Sequence, residues 1–132
     1  MSKERVDTLR AIYDALNRGD LDAACGGLPP DFEFIPPPML PEADVTPGPQ
    51  GLRELWERYA SIFENYRAEV EETIDAGDTV IVMAAVAGTS ASGPDLKTPS
   101  FAWVWSFEDE TPVRMEAMPN RATALEAVGL SD

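Results

Sequence analysis

The hydrophobic period of this chain changes once, and the position of that change restricts what the chain can fold into. Up to Tyr66 apolar residues recur three and four apart, as along one face of a helix; beyond it they alternate, as along a strand. In the first regime Val6, Leu9, Ile12, Tyr13 and Leu16 form one stripe, which predicts a helix over 2–19, begun by Ser2 and closed by Gly19. Asp20 caps a short second helix that Pro29 and Pro30 stop, and Phe32 and Phe34 alternate in a brief strand. Leu52, Leu55, Trp56, Tyr59, Ile62, Phe63 and Tyr66 predict a long helix over 51–66. In the second regime "RAEVEETID" and "TVIVMAAVAGT" flank the turn residues Ala76, Gly77 and Asp78 as a hairpin. "SFAWVWSFED" and "PVRMEAM" make two further strands around a turn at "EDET", and Asn120 caps a closing helix. Strands that follow one another through short turns pair antiparallel, and the helices before them must cover one face. The order therefore predicts an α+β fold in which a curved sheet wraps around helices.

The stretch 36–49 holds six prolines and no periodicity, which predicts a loop able to act as a lid. A linker between domains is the rival, but the residues before it are too few to make a domain alone. At 132 residues the chain is expected to form one domain, 1–132. A domain of this size buries about two-thirds of the surface of its unfolded chain, enough for a core and one cavity.

Charge and composition exclude several function classes. A net charge of −14 repels nucleic acid and anionic lipid, so neither is an expected partner. There is no histidine, which removes imidazole bases, Ser-His-Asp and Cys-His sites and most zinc sites. Cys25 is the one cysteine, so no internal disulfide can form, and it reads as a small packed residue beside Gly26 and Gly27. No glycine-rich phosphate loop and no set of spaced oxygen ligands is present; "GPDLK", Glu42 and Asp44 read as solvated loop, and no cofactor or metal is expected. The N-terminus lacks an apolar signal core and no run approaches the ~20 apolar residues of a membrane span, so a cytoplasmic protein is expected.

The aromatic strand poses the functional question. Phe101, Trp103, Trp105 and Phe107 fall on one of its faces, with Ala102, Val104 and Ser106 on the other. Four rings in a row can fill a core or wall a pocket.

Taken together, "IYDALNRGDLDAA", "PDFEF", "GLRELWERY", "AGDTVIVMAAVAGT", "VWSFEDETPVRMEA" and "ALEAVGL" resemble a SnoaL-like protein. Such proteins are grouped with the ketosteroid isomerases in the nuclear transport factor two-like superfamily. The resemblance implies a cone, in which a curved antiparallel sheet and three helices enclose an apolar pocket, commonly in a homodimer. The fold hosts isomerases, cyclases, hydrolases and binding modules, so the resemblance does not fix an activity.

Carried over by eye, the isomerase tyrosine falls at Ile12, its carboxylate base at Pro36 and its protonated acid at Trp103. The acid/base aspartate of SnoaL-type cyclases falls at Ala117. None of the four carries the needed group. Tyr13 lies one residue from the tyrosine position, a turn of about 100° on a helix. Glu116 lies one residue from the cyclase position, on the opposite strand face unless the last strand slips by one. The mapping makes the Trp103 face concave. It implies a lining of Ile12, Phe34, Trp56, Tyr59, Phe63, Phe101, Trp103, Met115 and Ala117.

Candidates for chemistry are Tyr59, Tyr13 and Glu116. Either phenol can donate a hydrogen bond to a developing oxyanion, or can be a core tyrosine with a backbone partner. Glu116 can serve as acid or base if it faces inward, or pair with Arg114 on the outer face; Asp31 orients a turn. Two readings of function follow. One is an enzyme that moves protons on a small apolar or aromatic substrate, as an isomerase, cyclase or hydrolase does. The other is a non-catalytic module that binds a hydrophobic ligand or acts as a dimeric scaffold. An inward carboxylate favours the first and a wholly apolar cavity the second.

Overall fold

The computed structural model describes residues 2–35 and 48–130. Its elements are α1 (Ser2–Arg18), α2 (Leu21–Cys25), β1 (Glu33–Ile35), α3 (Pro49–Ile62), β2 (Glu64–Asp75), β3 (Thr79–Thr89), β4 (Leu96–Lys97), β5 (Phe101–Glu108), β6 (Thr111–Met118) and α4 (Arg121–Ala127). The proline-rich stretch predicted as a loop or lid lies, over residues 36–47, outside the described residues. The architecture is α+β, as expected: a curved, unclosed sheet of six strands ordered β1-β6-β5-β3-β2, with β4 paired to β3 off that path.

Local chemistry sets the boundaries. Asp20 accepts a hydrogen bond from the Ala23 amide at the start of α2, and Asn120 does the same for Thr123 at the start of α4. Pro49 supplies the first turn of α3, where its missing N–H costs nothing. The α3 helix ends at Ile62, four residues before the predicted end. Phe63 is extended, Asn65 adopts a left-handed conformation (φ 53°), and Tyr66 lies on β2. The Cβ of Phe63 passes close to Gly88: a Cβ there would sit 2.7 Å from it, so glycine is the residue that admits the approach.

One pairing departs from the expected antiparallel pattern, and the sheet is also bulged. β1 pairs with β6 in parallel, Phe34 beside Met115, so the sheet is mixed rather than wholly antiparallel. And β2 carries irregularities between Glu64 and Arg67 and between Val70 and Glu72, with another in β5 at Ser106–Phe107. Such bulges increase local twist and bend a strand, which gives the sheet its curvature.

The concave face collects Val80, Val82, Ala84 and Val86 of β3 with Phe101, Trp103, Trp105 and Phe107 of β5 and Met115 and Ala117 of β6. Leu9, Ile12, Tyr13 and Leu16 of α1 and Leu52 and Trp56 of α3 pack onto it. A smaller cluster on the convex face joins Ile81, Met83, Ala102 and Val104 to Ala124 and Leu125 of α4. Period-two alternation in β3 and β5 thus feeds both faces, and α4 covers part of the outer one.

Two polar clasps hold α1 against the sheet. The Asn17 amide donates to Ala68 O (2.9 Å) and accepts from Ala68 N (2.8 Å), standing in for a neighbouring strand at the β2 edge. Arg5 donates to the carbonyls of Gly77 (2.7 Å) and Asp109 (2.8 Å) with its guanidinium 5.7 Å from the Phe107 ring centroid, so one side chain ties both hairpin turns to the helix. Among the described residues no helix is long and apolar enough to cross a membrane.

Candidate functional site: an aromatic cavity

A cavity of ≈170 Å³, partly open to solvent, lies between α3 and the concave face. Its floor and walls are buried side chains: Leu52 and Trp56 from α3, Phe34 from β1, Val86 from β3, Phe101 and Trp103 from β5, and Met115 and Ala117 from β6. Its mouth is formed by half-buried residues: Leu55 and Tyr59 on α3, Tyr66 at the β2 bulge, and Leu96 and Thr98 beside β4. The α3 contribution follows from helical spacing, since residues 52, 55, 56 and 59 share one face. The sheet contribution follows from alternation, since Trp103 is paired with Ala117 and Trp105 with Met115 across β5 and β6.

The rings are fixed by one another. Trp103 stacks on Phe101 (5.2 Å between centroids, 18° between planes) and meets the edge of Tyr13 (5.4 Å, 76°). At the mouth Tyr66 stacks on Tyr59 (5.8 Å, 22°) and leans on Trp56 (4.6 Å, 59°). Ring pairs of this kind contribute about 0.5–1.5 kcal/mol each beyond their burial. Thr98 ties the β4 side of the mouth to β3: its hydroxyl accepts from Val86 N (3.0 Å) and its amide donates to Val86 O (3.0 Å). Next to it the Lys97 ammonium donates to the Glu69 carboxylate, which holds that carboxyl below its usual range and links β4 to β2.

Each sequence-derived candidate has a definite place. Phe34, Trp56, Tyr59, Phe101, Trp103, Met115 and Ala117 line the cavity. Ile12 does not; it is buried in the core beneath α1. Phe63 does not either: its Cβ lies against Gly88 and the residue lines an outer groove.

Tyr13 is buried behind the wall, where its hydroxyl accepts the Trp105 indole N–H at 3.1 Å. Burial holds its phenol well above the usual tyrosine pKa, only partly offset by the bond from Trp105. Tyr13 is thus outside the lining of this cavity; it borders a separate groove between α1 and β2 together with Arg10, Asp14 and Asn17. Glu116 faces away from the cavity, level with Val104, and pairs with Arg114 at 3.0 Å; Arg114 also approaches Glu33 at 3.6 Å. The last strand is therefore not slipped, and period two places Ala117 inward and Glu116 outward. Asp31 is exposed in a turn.

Leu52, Leu55, Tyr66, Val86, Leu96 and Thr98 were not among the expected lining residues. The first two share the helix face of Trp56 and Tyr59, and Val86 continues the alternation of Val80, Val82 and Ala84, so spacing could have identified them. Tyr66 and the β4 residues could not be found this way, because a bulge and a two-residue strand carry no periodicity. The phenol of Tyr66 is raised by burial first and by Tyr59 beside it second. Among the described residues no charged side chain lines the cavity, and no group of His, Cys, Asp or Glu could hold a metal.

Comparison with known proteins identifies relatives of this arrangement. A model of the SnoaL-like domain family matches residues 9–115. No curated protein matches the chain. Among solved structures the chain is similar to TerC, co-crystallised with polyporic acid, at 22% identity and TM-score 0.70 over 95% of this chain and 98% of that one. A nuclear transport factor two-like protein from Burkholderia pseudomallei matches at 21% identity and TM-score 0.71, over 96% and 98% of the two chains. A protein with a ketosteroid isomerase-like fold from Catenulispora acidiphila, in complex with trimethylamine, matches at 17% identity and TM-score 0.68, over 93% and 92%. At such identities the likeness is one of fold.

Proposed function

The chain belongs to the SnoaL-like domain family, and on that footing we propose that its cavity binds a small, flat, uncharged aromatic or apolar molecule. The observation that carries this reading is the lining itself: aromatic and aliphatic side chains, with hydroxyls only at Tyr59, Tyr66 and Thr98 and no charged group among the described residues. The size fits one or two fused rings, since a dry cavity of ~150 Å³ accepts benzene. Trp103 and Trp56 supply flat walls, and Tyr59 at the mouth is the donor for an oxygen on the ligand. A solved neighbour of the same fold, TerC, was co-crystallised with a small molecule, polyporic acid, which supports small-molecule binding in the wider sense.

A second reading is that the protein also acts on this molecule by isomerisation, cyclisation or hydrolysis. It is supported by the Tyr59 phenol at the mouth of an apolar cavity, where one donor can stabilise a developing oxyanion. With Glu116 turned outward, such an activity would depend on Tyr59 rather than on a carboxylate from β6. A homodimer, which the resemblance implied, belongs to the proposal too and is read by light scattering on the purified protein.

The test is a pair of titrations followed by tryptophan fluorescence. Neutral 2-naphthol should bind with a free energy of about −6 kcal/mol, roughly 0.5 kcal/mol per heavy atom and a Kd of tens of micromolar. The anion 2-naphthoate should bind at least about 100-fold more weakly, because its carboxylate would be desolvated without a partner inside a protein of charge −14. Equal affinities would overturn the reading.

A further inference from the structure

The cavity is not the only concavity at this end of the fold. An open groove of ≈500 Å³ runs between α1, α2, α3 and the start of β2, and its walls include Trp56 and Tyr66. The same two rings line the ≈170 Å³ cavity. They are therefore the partition between the two spaces, and they differ in how firmly they are held. Trp56 is 4% exposed in the middle of a helix. Tyr66 is half-buried, follows the left-handed Asn65 inside a bulge, and is held by ring contacts with Tyr59 and Trp56.

We propose that Tyr66 is the specificity-determining residue that sets the length of ligand the cavity accepts. This rests on the binding reading above and adds to it a limit on size. With the Tyr66 ring in place the cavity of ≈170 Å³ is bounded on the side of the groove. Without it the cavity continues into the groove beside Ala60 and Ser61, an open space also bordered by Arg18, Glu57 and Glu64, where the far end of a longer molecule can lie. Selection comes from the ring's bulk, not from its hydroxyl, since it is the ring plane that closes the space. Ala60 is exposed on α3 and faces the groove, so a large side chain there would fill the space that loss of the Tyr66 ring opens.

The experiment compares two neutral probes, 2-naphthol with two fused rings and N-phenyl-2-naphthylamine with a third ring appended, by equilibrium titration. The wild-type protein should prefer the shorter probe by about tenfold or more, the scale on which an apolar pocket bounded on that side rejects excess bulk. Y66A should bring the two affinities within about twofold, and Y66F should keep the wild-type preference. Adding A60W to Y66A should restore a preference of about tenfold. The ratio of affinities is the readout, since a general loss of stability would weaken both probes alike; Y66L provides the same test should Y66A not fold.

A ratio unchanged in Y66A or Y66L, with 2-naphthol still bound, overturns the inference and leaves the binding reading standing. A ratio that collapses in Y66F overturns it in favour of a hydroxyl contact. Failure of A60W to restore the preference shows that the longer probe does not enter the groove and also overturns it. Failure of 2-naphthol to bind the wild-type protein overturns both readings.

Discussion

Replacing Tyr13 by phenylalanine separates the structural role of this residue from the catalytic role that its position invites. The substitution removes one atom and keeps the ring, so the edge contacts with Trp103 and Trp105 (5.4 and 6.1 Å) survive. What it removes is the acceptor of the Trp105 indole N–H, 3.1 Å away. Trp105 is fully buried and Tyr13 is 3% exposed, so water cannot readily replace the lost oxygen. A buried donor left unpaired costs about 1–3 kcal/mol. We expect a loss of about 2 kcal/mol, well short of the ~3–5 kcal/mol of truncating a buried aromatic ring to alanine. In a domain of this size that lowers Tm by roughly 6 °C.

Urea unfolding followed by tryptophan emission measures the effect as a shift of midpoint at constant slope. Affinity for 2-naphthol should change by less than about threefold, because the hydroxyl is spent behind the wall. Two results would refute the reasoning. One is a stability loss below about 0.5 kcal/mol, which would mean the bond contributes little. The other is a collapse of binding with stability intact, which would return Tyr13 to the site.

Three further outcomes are expected. Stability should fall on the alkaline side: the phenols of Tyr13 and Tyr66 are raised in the folded state, so their contribution is complete below the ordinary tyrosine pKa of ~10 and is lost as pH rises through the folded values. The slope should approach about 1.4 kcal/mol per pH unit for each such tyrosine and should be shallower in Tyr13→Phe, as read by urea midpoints from pH 8 to 11. Arg5→Ala should cost about 1–2 kcal/mol by freeing both hairpin turns from α1, and amide exchange should quicken at Gly77 and Asp109 more than in β3. Glu116→Gln should leave 2-naphthol affinity within about twofold of wild type, since Glu116 points at Arg114 and solvent; a larger loss would put it in the site.

Much of this fold can be read in the sequence because its two periodicities are strong. The stripe of α1, the alternation of β3 and β5, and the caps Asp20 and Asn120 are each local signals, and each places its element where expected. What local pattern misses has a common physical cause. Tyr66 continues the three- and four-residue spacing of Tyr59, Ile62 and Phe63, so the pattern reads it as helix, whereas it meets Trp56 and Tyr59 from β2 through a bulge. The parallel pairing of β1 with β6 joins residues far apart in the chain, and no turn sequence encodes it. Leu96 and Thr98 reach the cavity from a Ser/Gly/Pro-rich segment through the bonds that Thr98 makes to Val86.

The site itself was half legible. Alternation in β6 placed Ala117 inward and Glu116 outward. By contrast, the partner that occupies the Tyr13 hydroxyl sits on β5 and is invisible to helix spacing.

The measurement that bears most directly on the central claim is a crystal structure of the protein soaked with 6-bromo-2-naphthol, read for the anomalous signal of bromine. A neutral aromatic cavity predicts one dominant peak between α3 and the concave face, with the naphthol rings against Trp56 and Trp103. A bromine peak confined to the outer surface, or no peak at a concentration that quenches tryptophan emission, would contradict it.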